Sequence, residues 1–240
     1  MIYKKCYNSI ANEIYNLAIK LVSFVEGGLS MRLQQYLEET YPAGKPIFSA
    51  DIDIEGMTQT NLRQSLKVLT DRGVLKRFDR GVYYIPEKSV LKSGYVPLSA
   101  VPVVREKYLV RNGEACGYLS GIAFVNEIHL TTQVPAWKEI VTNNTSAVER
   151  RIVMPAGMRL ILKKSRTEIT TENYQTLQFL DLLDKVEIYS EVQGEKLDRA
   201  LAAYMRSAAI NGDQIRQYIR LFPERVARVL IERGLAYVPA

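Results

Sequence analysis

The sequence predicts an α+β protein built from two domains, and three observations support this prediction. Apolar residues recur at the three- and four-residue spacing of amphipathic helices in several stretches of the chain. Short runs rich in β-branched and aromatic residues, bounded by Gly, Pro and Asn, lie between those stretches and are typical of strands. The chain has 240 residues, of which 47% are apolar, and this is enough to form the cores of two small domains.

Residues 1–28 are interpreted as an N-terminal extension. An amphipathic helix is predicted over residues 8–25, because its apolar side chains form one stripe. This stripe consists of Ile10, Ile14, Leu17, Leu21 and Phe24. Packing against the protein itself or against a second subunit is favoured over a membrane-surface helix, because the polar face carries little Lys or Arg. No signal peptide is predicted, and no stretch approaches the ~20 apolar residues of a membrane span.

Residues 29–88 are predicted to form the first domain, with the order helix, short helix, helix and hairpin. The first helix has an apolar face and ends at the breaker Pro42. A short second helix is expected after Ser49, whose hydroxyl can cap it. The third helix begins after Thr58, also a capping residue, and ends near Gly73. Its predicted buried stripe consists of Leu62, Leu66 and Leu69.

A β-hairpin is predicted directly after the third helix. Two β-rich runs, 74–78 and 82–85, flank a turn at Asp79-Arg80-Gly81. Pro86 ends the second run because it has no amide hydrogen to donate to a ladder. Residues 87–97 contain Ser, Lys, Gly and Pro, and they are interpreted as a linker between the domains.

Three helices followed by a hairpin are the order of a winged helix-turn-helix. In this module the third helix enters the DNA major groove and the hairpin contacts the backbone. The predicted DNA-binding residues are Gln59, Thr60, Arg63, Gln64, Lys67, Lys76, Arg77 and Arg80. Arg and Gln can read base edges, while Thr and Lys can hold phosphates. Residues 57–88 carry seven basic and three acidic side chains, which supply most of the chain's net charge of +6.

Residues 98–240 are predicted to form a mixed α+β domain with a helical C-terminal tail. Helices are predicted at 99–110, 117–128 and 171–183, the last with Thr171 as a cap, and strands at 138–142, 151–153 and 158–163. Three short helices follow in residues 194–236. Their apolar side chains either complete the domain core or form a surface that faces another protein.

No catalytic residue, metal site or cofactor is predicted. His129 is the single histidine, so a serine triad has one available base. Cys116 paired with His129 is a disfavoured alternative, because a lone cysteine beside small residues is usually buried. A nuclease-like domain with Glu139 and Lys163 on strands is also disfavoured, since neither belongs to a Glu-x-Lys motif. Two cysteines without a disulfide framework favour a cytoplasmic protein.

Several strings in the chain resemble the AbiEi-type antitoxins of bacterial type IV toxin–antitoxin systems. The strings are residues 58–73 and 74–86, Gly117-Tyr118-Leu119-Ser120-Gly121, Leu130-Thr131-Thr132-Gln133-Val134-Pro135, the strand at 138–143, and the last helix after Phe222-Pro223. The resemblance covers about residues 29–235, and residues 1–28 lie outside it. It implies a transcriptional regulator whose N-terminal winged helix binds inverted repeats in promoter DNA and represses its own operon.

The same resemblance implies a role in abortive infection, a form of phage defence. The second domain would oppose, directly or indirectly, a nucleotidyltransferase toxin of the AbiEii type. Binding to inverted repeats is compatible with a homodimer or with two monomers side by side. The alternatives from the residues alone are a protein-binding winged helix without catalysis, and a nuclease-like enzyme in the second domain.

Overall fold

The computed structural model describes residues 28–90 and 93–237, and the chain divides into two compact units after Ser99. Helices and strands occur in both units, and the predicted α+β class is confirmed. The amphipathic helix predicted for residues 8–25 lies outside the described residues. No helix in the described part of the chain combines the length and apolar character needed to cross a membrane.

The first unit combines two long helices with a small antiparallel sheet. Its elements are α1 (28–40), β1 (Ile47–Phe48), α2 (Gln59–Asp71), β2 (Lys76–Asp79), β3 (Val82–Tyr84), β4 (Glu87–Lys88) and β5 (Tyr95–Val96). Strands β1, β3 and β2 pair in that order, and all pairings are antiparallel. Strands β4 and β5 form a separate two-stranded ladder.

Helix α2 is organised as the sequence predicts. Leu62, Leu66 and Leu69 are at most 3% exposed, and they pack in one apolar cluster with side chains of α1 and the sheet. The Thr58 hydroxyl accepts a hydrogen bond from the Asn61 amide at 3.2 Å, which caps the helix. These contacts fix which face of α2 is left in solvent.

The short helix predicted after Ser49 is wrong, because the chain makes a turn there, closed by a hydrogen bond from the Asp51 amide to the Phe48 carbonyl at 3.0 Å, and no helix follows before α2. Strand β1 pairs with β3, and the Ser49 amide donates to the Gly81 carbonyl at 2.9 Å. The following residues, 51–55, alternate acidic and isoleucine side chains, and Ile52 is buried. Alternation with a period of two suits extended backbone, in which every second side chain faces the core, and does not suit a helix.

Residues 87–97, which the sequence predicts as a linker between the domains, are partly paired with each other. Glu87 pairs with Val96 and Lys88 with Tyr95, so the ends of this segment form the β4–β5 ladder. The Lys76 ammonium lies 5.0 Å from the centre of the Tyr95 ring, an additional contact between this ladder and the hairpin. The division into units falls three residues after β5.

We expect Leu66→Ala to destabilise the first unit by about 2–5 kcal/mol, because Leu66 is 1% exposed and its removal leaves a cavity in a small core. Hydrogen exchange of the α2 amides at increasing urea concentrations measures this loss of unfolding free energy. The neighbouring Lys67→Ala variant is the control, since Lys67 is exposed. Equal protection of α2 in both variants would contradict the packing described above.

The second unit is built around a four-stranded mixed sheet. Its elements are α3 (Ala100–Val104) continued by a π-helical turn (Arg105–Leu109), β6 (Val110–Arg111), β7 (Glu114–Ala115), β8 (Gly117–Ser120), α4 (Gly121–Glu127), β9 (Lys138–Thr142), β10 (Glu149–Val153), β11 (Arg159–Lys164), α5 (Tyr174–Leu183), α6 (Val186–Tyr189), α7 (Gly194–Ser207), α8 (Gly212–Tyr218) and α9 (Glu224–Glu232). The strand order is β10-β11-β9-β8, in which β11 and β9 are parallel and the other neighbours are antiparallel.

The helix predicted for residues 117–128 is correct only in its second half. Residues 117–120 form β8, which pairs with β9 along the sheet edge. A Cβ atom on Gly117 would lie 2.0 Å from the Tyr108 carbonyl oxygen, so only glycine permits this close approach of two backbones. The tertiary pairing with β9 overrides the helical spacing of this segment.

Helix α5 begins at Tyr174, three residues later than predicted. The predicted cap Thr171 instead contacts β7: its hydroxyl donates to the Glu114 carboxylate and accepts from the Ala115 amide. The C-terminal helices pack on the same core as α5. Val226, Val229, Leu230 and Leu235 are at most 7% exposed. The apolar side chains of the tail therefore complete the core of the second unit.

The Leu130–Pro135 string forms a loop that holds the carboxylate of Glu191. The Thr132 amide donates to Glu191 at 2.9 Å, and the hydroxyls of Thr131 and Thr132 donate at 3.0 Å. The Glu191 amide donates in turn to the Leu130 carbonyl. These hydrogen bonds lower the pKa of Glu191, the Thr132 amide most, because they stabilise its charged form.

We expect Glu191→Gln to lower the melting temperature at neutral pH. We also expect the melting temperature of this variant to fall less on acidification than that of the unmodified protein. A carboxyl with a lowered pKa in the folded state stabilises above its unfolded pKa, and this contribution disappears as pH falls through the folded pKa. Thermal melting between about pH 7 and 3 measures both effects. Glu195→Gln is the control, because its exposed ion pair with Arg199 contributes little. Parallel acid curves for Glu191→Gln and the unmodified protein would contradict the role of this loop.

Candidate nucleic-acid interface

The outer face of α2 carries five of the residues that the sequence predicts for DNA contact. Gln59, Thr60, Arg63, Gln64 and Lys67 are all exposed. They lie opposite the buried leucine stripe, because residues three and four apart share one face of a helix. The structure therefore brings these side chains together on one solvent-facing surface.

Within this surface Gln64 lies near the border with α1. It lines a small cavity together with Ser30 of α1 and with Ser65. Arg63 and Lys67, four residues apart, occupy the centre of the surface. A guanidinium and an ammonium at this spacing can contact a base edge and a phosphate of one groove.

The hairpin carries the three remaining predicted residues. Arg77 and Arg80 are exposed, whereas Lys76 is half-buried against Tyr95. The Arg77 side chain donates to the Asp79 carbonyl at 3.2 Å, and the Asp79 carboxylate accepts from the Arg80 amide at 2.7 Å. The turn is tight, with Gly81 at a φ of +72°, so both arginines are held close to its tip.

Helix α2 and the hairpin are joined by direct contacts. The Leu75 amide, at the start of the hairpin, donates to the Leu69 carbonyl near the end of α2 at 3.2 Å. Leu75 is fully buried in the same cluster as Leu66. The two basic elements therefore belong to one packed unit. The sequence did not identify Tyr95, because its position beside Lys76 depends on the β4–β5 ladder.

A second polar site lies between the sheet and α5 in the second unit. The cavity has a volume of about 130 Å³, and its polar lining includes Ser120, Glu139, Lys163 and Asp181. Lys163 donates to Glu139, and Ser120 donates to Asp181. The parallel β9–β11 pairing brings Glu139 and Lys163 together, although sequence spacing alone did not indicate their contact.

The charges in this cavity affect each other. Burial raises the pKa of Asp181, and the hydrogen bond from Ser120 only partly offsets this effect. For Lys163, burial lowers the pKa, but the hydrogen bond and charge of Glu139 outweigh burial and raise it. Asp184 is bound by Arg225. Each of these three carboxylates thus has an intramolecular partner.

The other candidates for chemistry lie apart from this cavity. In the described ranges 28–90 and 93–237, no three His, Cys, Asp or Glu residues are grouped so that they could hold a metal ion. The Asn144 amide contacts the sulfur of Cys116 at 3.5 Å, and burial raises the pKa of this thiol. His129 lies in a turn with a φ of +61°. The described side chains show no Cys116–His129 hydrogen bond.

Comparison with known proteins identifies no relative of this chain among protein families or curated sequences. No protein-family model matches the chain, and no curated protein matches it significantly in sequence.

Proposed function

We propose that the protein is a DNA-binding transcriptional repressor whose first unit acts as a winged helix-turn-helix. The observation that carries this proposal is the exposed α2 surface around Arg63 and Lys67, on the same packed unit as the basic hairpin tip. The turn segment after β1 takes the place of the usual middle helix. Helix α2 then corresponds to the helix that enters the major groove, and the β2–β3 hairpin to the wing.

The side chains of this interface divide into two roles. Arg63 and Gln64 are suited to base edges, because guanidinium and amide groups can form paired hydrogen bonds with guanine and adenine. Lys67, Arg77 and Arg80 are suited to phosphates, since their exposed cationic groups can contact the backbone without reading a base. Contacts to phosphate make affinity fall with salt, which separates DNA binding from most protein contacts.

The second unit is proposed to be the antitoxin part of an AbiE-like system, acting in the cytoplasm without catalysis of its own. The strings that resemble AbiEi-type antitoxins extend through this unit, and the loop at 130–135 holds Glu191 in its fold. The charged groups of its polar cavity satisfy each other, and this favours a structural role over general acid–base chemistry. The proposed partner is a nucleotidyltransferase toxin, opposed directly or through another molecule.

We expect the protein to shift duplex DNA from its own upstream promoter, and the combined variant Arg63→Ala, Gln64→Ala, Lys67→Ala to lose this shift. Arg63→Ala alone should cost about 1–3 kcal/mol and relax base preference, whereas Arg80→Ala should weaken all sequences about equally. Lys196→Ala with Arg206→Ala is the control, because both residues are exposed on α7 of the second unit. An unchanged shift by the combined α2 variant would show that the surface is wrongly assigned and would favour a protein-binding module.

The antitoxin role predicts that co-expression relieves the growth arrest caused by the operon's nucleotidyltransferase. The combined α2 variant should still relieve the arrest when both genes are expressed from an unrelated promoter, since its second unit is intact. Colony counts after toxin induction measure the effect, with immunoblots confirming equal amounts of toxin. Failure of the unmodified protein to restore growth would contradict the antitoxin role and leave the repressor proposal to the DNA experiment.

A further inference from the structure

The positive charge of the second unit is concentrated in one segment. Residues 137–166 carry seven basic and two acidic side chains, whereas the remaining residues from 100 to 240 carry twelve basic and fourteen acidic ones. The two acids of this segment are each ion-paired, Glu139 with Lys163 and Glu149 with Arg151. The segment therefore has an excess of unmatched cations on a unit that is otherwise slightly acidic.

The sheet gathers part of this charge around the chain's single tryptophan. The guanidinium carbons of Arg151 and Arg159 each lie 5.8 Å from the centre of the Trp137 ring. Arg159 pairs with Val153 across the β10–β11 ladder, and Arg151 pairs with Ile161. Because paired residues of neighbouring strands point to the same side, these side chains share one surface. We name it the Trp137 face; it consists of Trp137, Glu149, Arg151, Val153, Arg159 and Ile161, and the Glu149 carboxylate lies 3.7 Å from the Arg151 guanidinium.

The arginines of the Trp137 face are open to solvent and its Trp137 and Ile161 side chains are half-buried, unlike the fully buried leucines of β11 on the opposite side of the sheet. Arg151, Arg159 and Val153 are exposed, and the Val153 side chain is 62% exposed. On the opposite side, Leu160 and Leu162 of β11 are at most 2% exposed. Helix α5 lies on the same side as the Trp137 face, but its main sheet contact is with β8 at the other edge.

We propose that the Trp137 face binds single-stranded RNA. Its two arginines outnumber its one exposed carboxylate, Glu149, so the face keeps a positive excess that complements a phosphate backbone. Its tryptophan and guanidinium groups offer planes on which bases can stack. Only unpaired bases expose their faces for such stacking, so a single strand fits this sheet surface better than a duplex, whose major groove is read by an inserted helix or two-stranded ribbon. Unpaired loops, bulges and ends of this kind are the usual targets of proteins that bind RNA. This binding is separate from the duplex contacts proposed for the first unit.

Intrinsic fluorescence tests this proposal directly, because Trp137 is the only tryptophan in the chain. Titration with a single-stranded oligouridylate of about 12 nucleotides should quench this emission, with a logarithmic salt slope near −0.7 for each phosphate contacted. Arg151→Glu with Arg159→Glu should weaken RNA binding at least tenfold. Trp137→Phe, followed by anisotropy of labelled RNA, should retain most of the affinity, whereas Trp137→Ala should lose about tenfold.

Two control variants separate this site from general charge and from the DNA interface. Lys196→Glu with Arg206→Glu makes the same change of net charge on α7, and Arg63→Glu with Lys67→Glu makes it on α2; both should bind the RNA as the unmodified protein does. All substituted arginines and lysines are exposed, so we expect these variants to fold. Circular dichroism of each variant checks this.

Four results would overturn the proposal. The first is no quenching by the RNA at about 0.1 M salt, where exposed charges still act over ~10 Å. The second is equal RNA affinity after reversal of Arg151 and Arg159. The third is tighter binding of this face to duplex DNA or to single-stranded DNA of matching sequence. The fourth is displacement of the RNA by polyglutamate at equal charge concentration, which would assign the face to an acidic protein.

Discussion

The parallel pairing of β9 with β11 is the constraint on which the second unit depends. It places β10, which lies between them in sequence, at the outer edge of the sheet. One consequence is the contact between Glu139 and Lys163, which come from sequence positions 24 residues apart. Another is the approach of Arg151 and Arg159 to Trp137. An antiparallel meander of the same three strands would separate Glu139 from Lys163, because β10 would then lie between β9 and β11.

In the first unit, a small apolar core determines which side chains meet solvent. Leu66 and Leu75 belong to one cluster, so the orientation of α2 and the start of the hairpin are set together. The exposed positions of α2 follow from this packing, since a helix that buries one stripe presents the opposite one. Because the leucines of α2 are buried in the core, Arg63 and Lys67 on the opposite face are exposed. The proposed DNA interface is in this sense a product of the core.

The two units use charge differently. In the first, arginines and lysines lie on a helix surface and at a hairpin tip, forms that fit the groove and backbone of a duplex. In the second, two arginines lie beside an aromatic ring on the surface of a sheet, while Lys163 and Glu139 beside α5 pair with each other. Net charge alone did not separate these arrangements, because the acidic residues of the C-terminal helices mask the basic segment at 137–166.

The sequence by itself determined the elements whose signals are local. Three of these elements are the cap at Thr58, the buried stripe through Leu66 and the turn at Gly81. Each depends only on residues a few positions away in the sequence, so residue spacing sufficed to predict it. The exposed face of α2 follows from the same spacing. Tertiary structure alone decided that residues 47–48 and 117–120 are strands, because their partners, Tyr83 and Val141 among them, lie far along the chain. It also decided the surroundings of Trp137 and Lys163. Strand order and direction arise from the packing of the whole sheet, which periodicity within a segment does not encode.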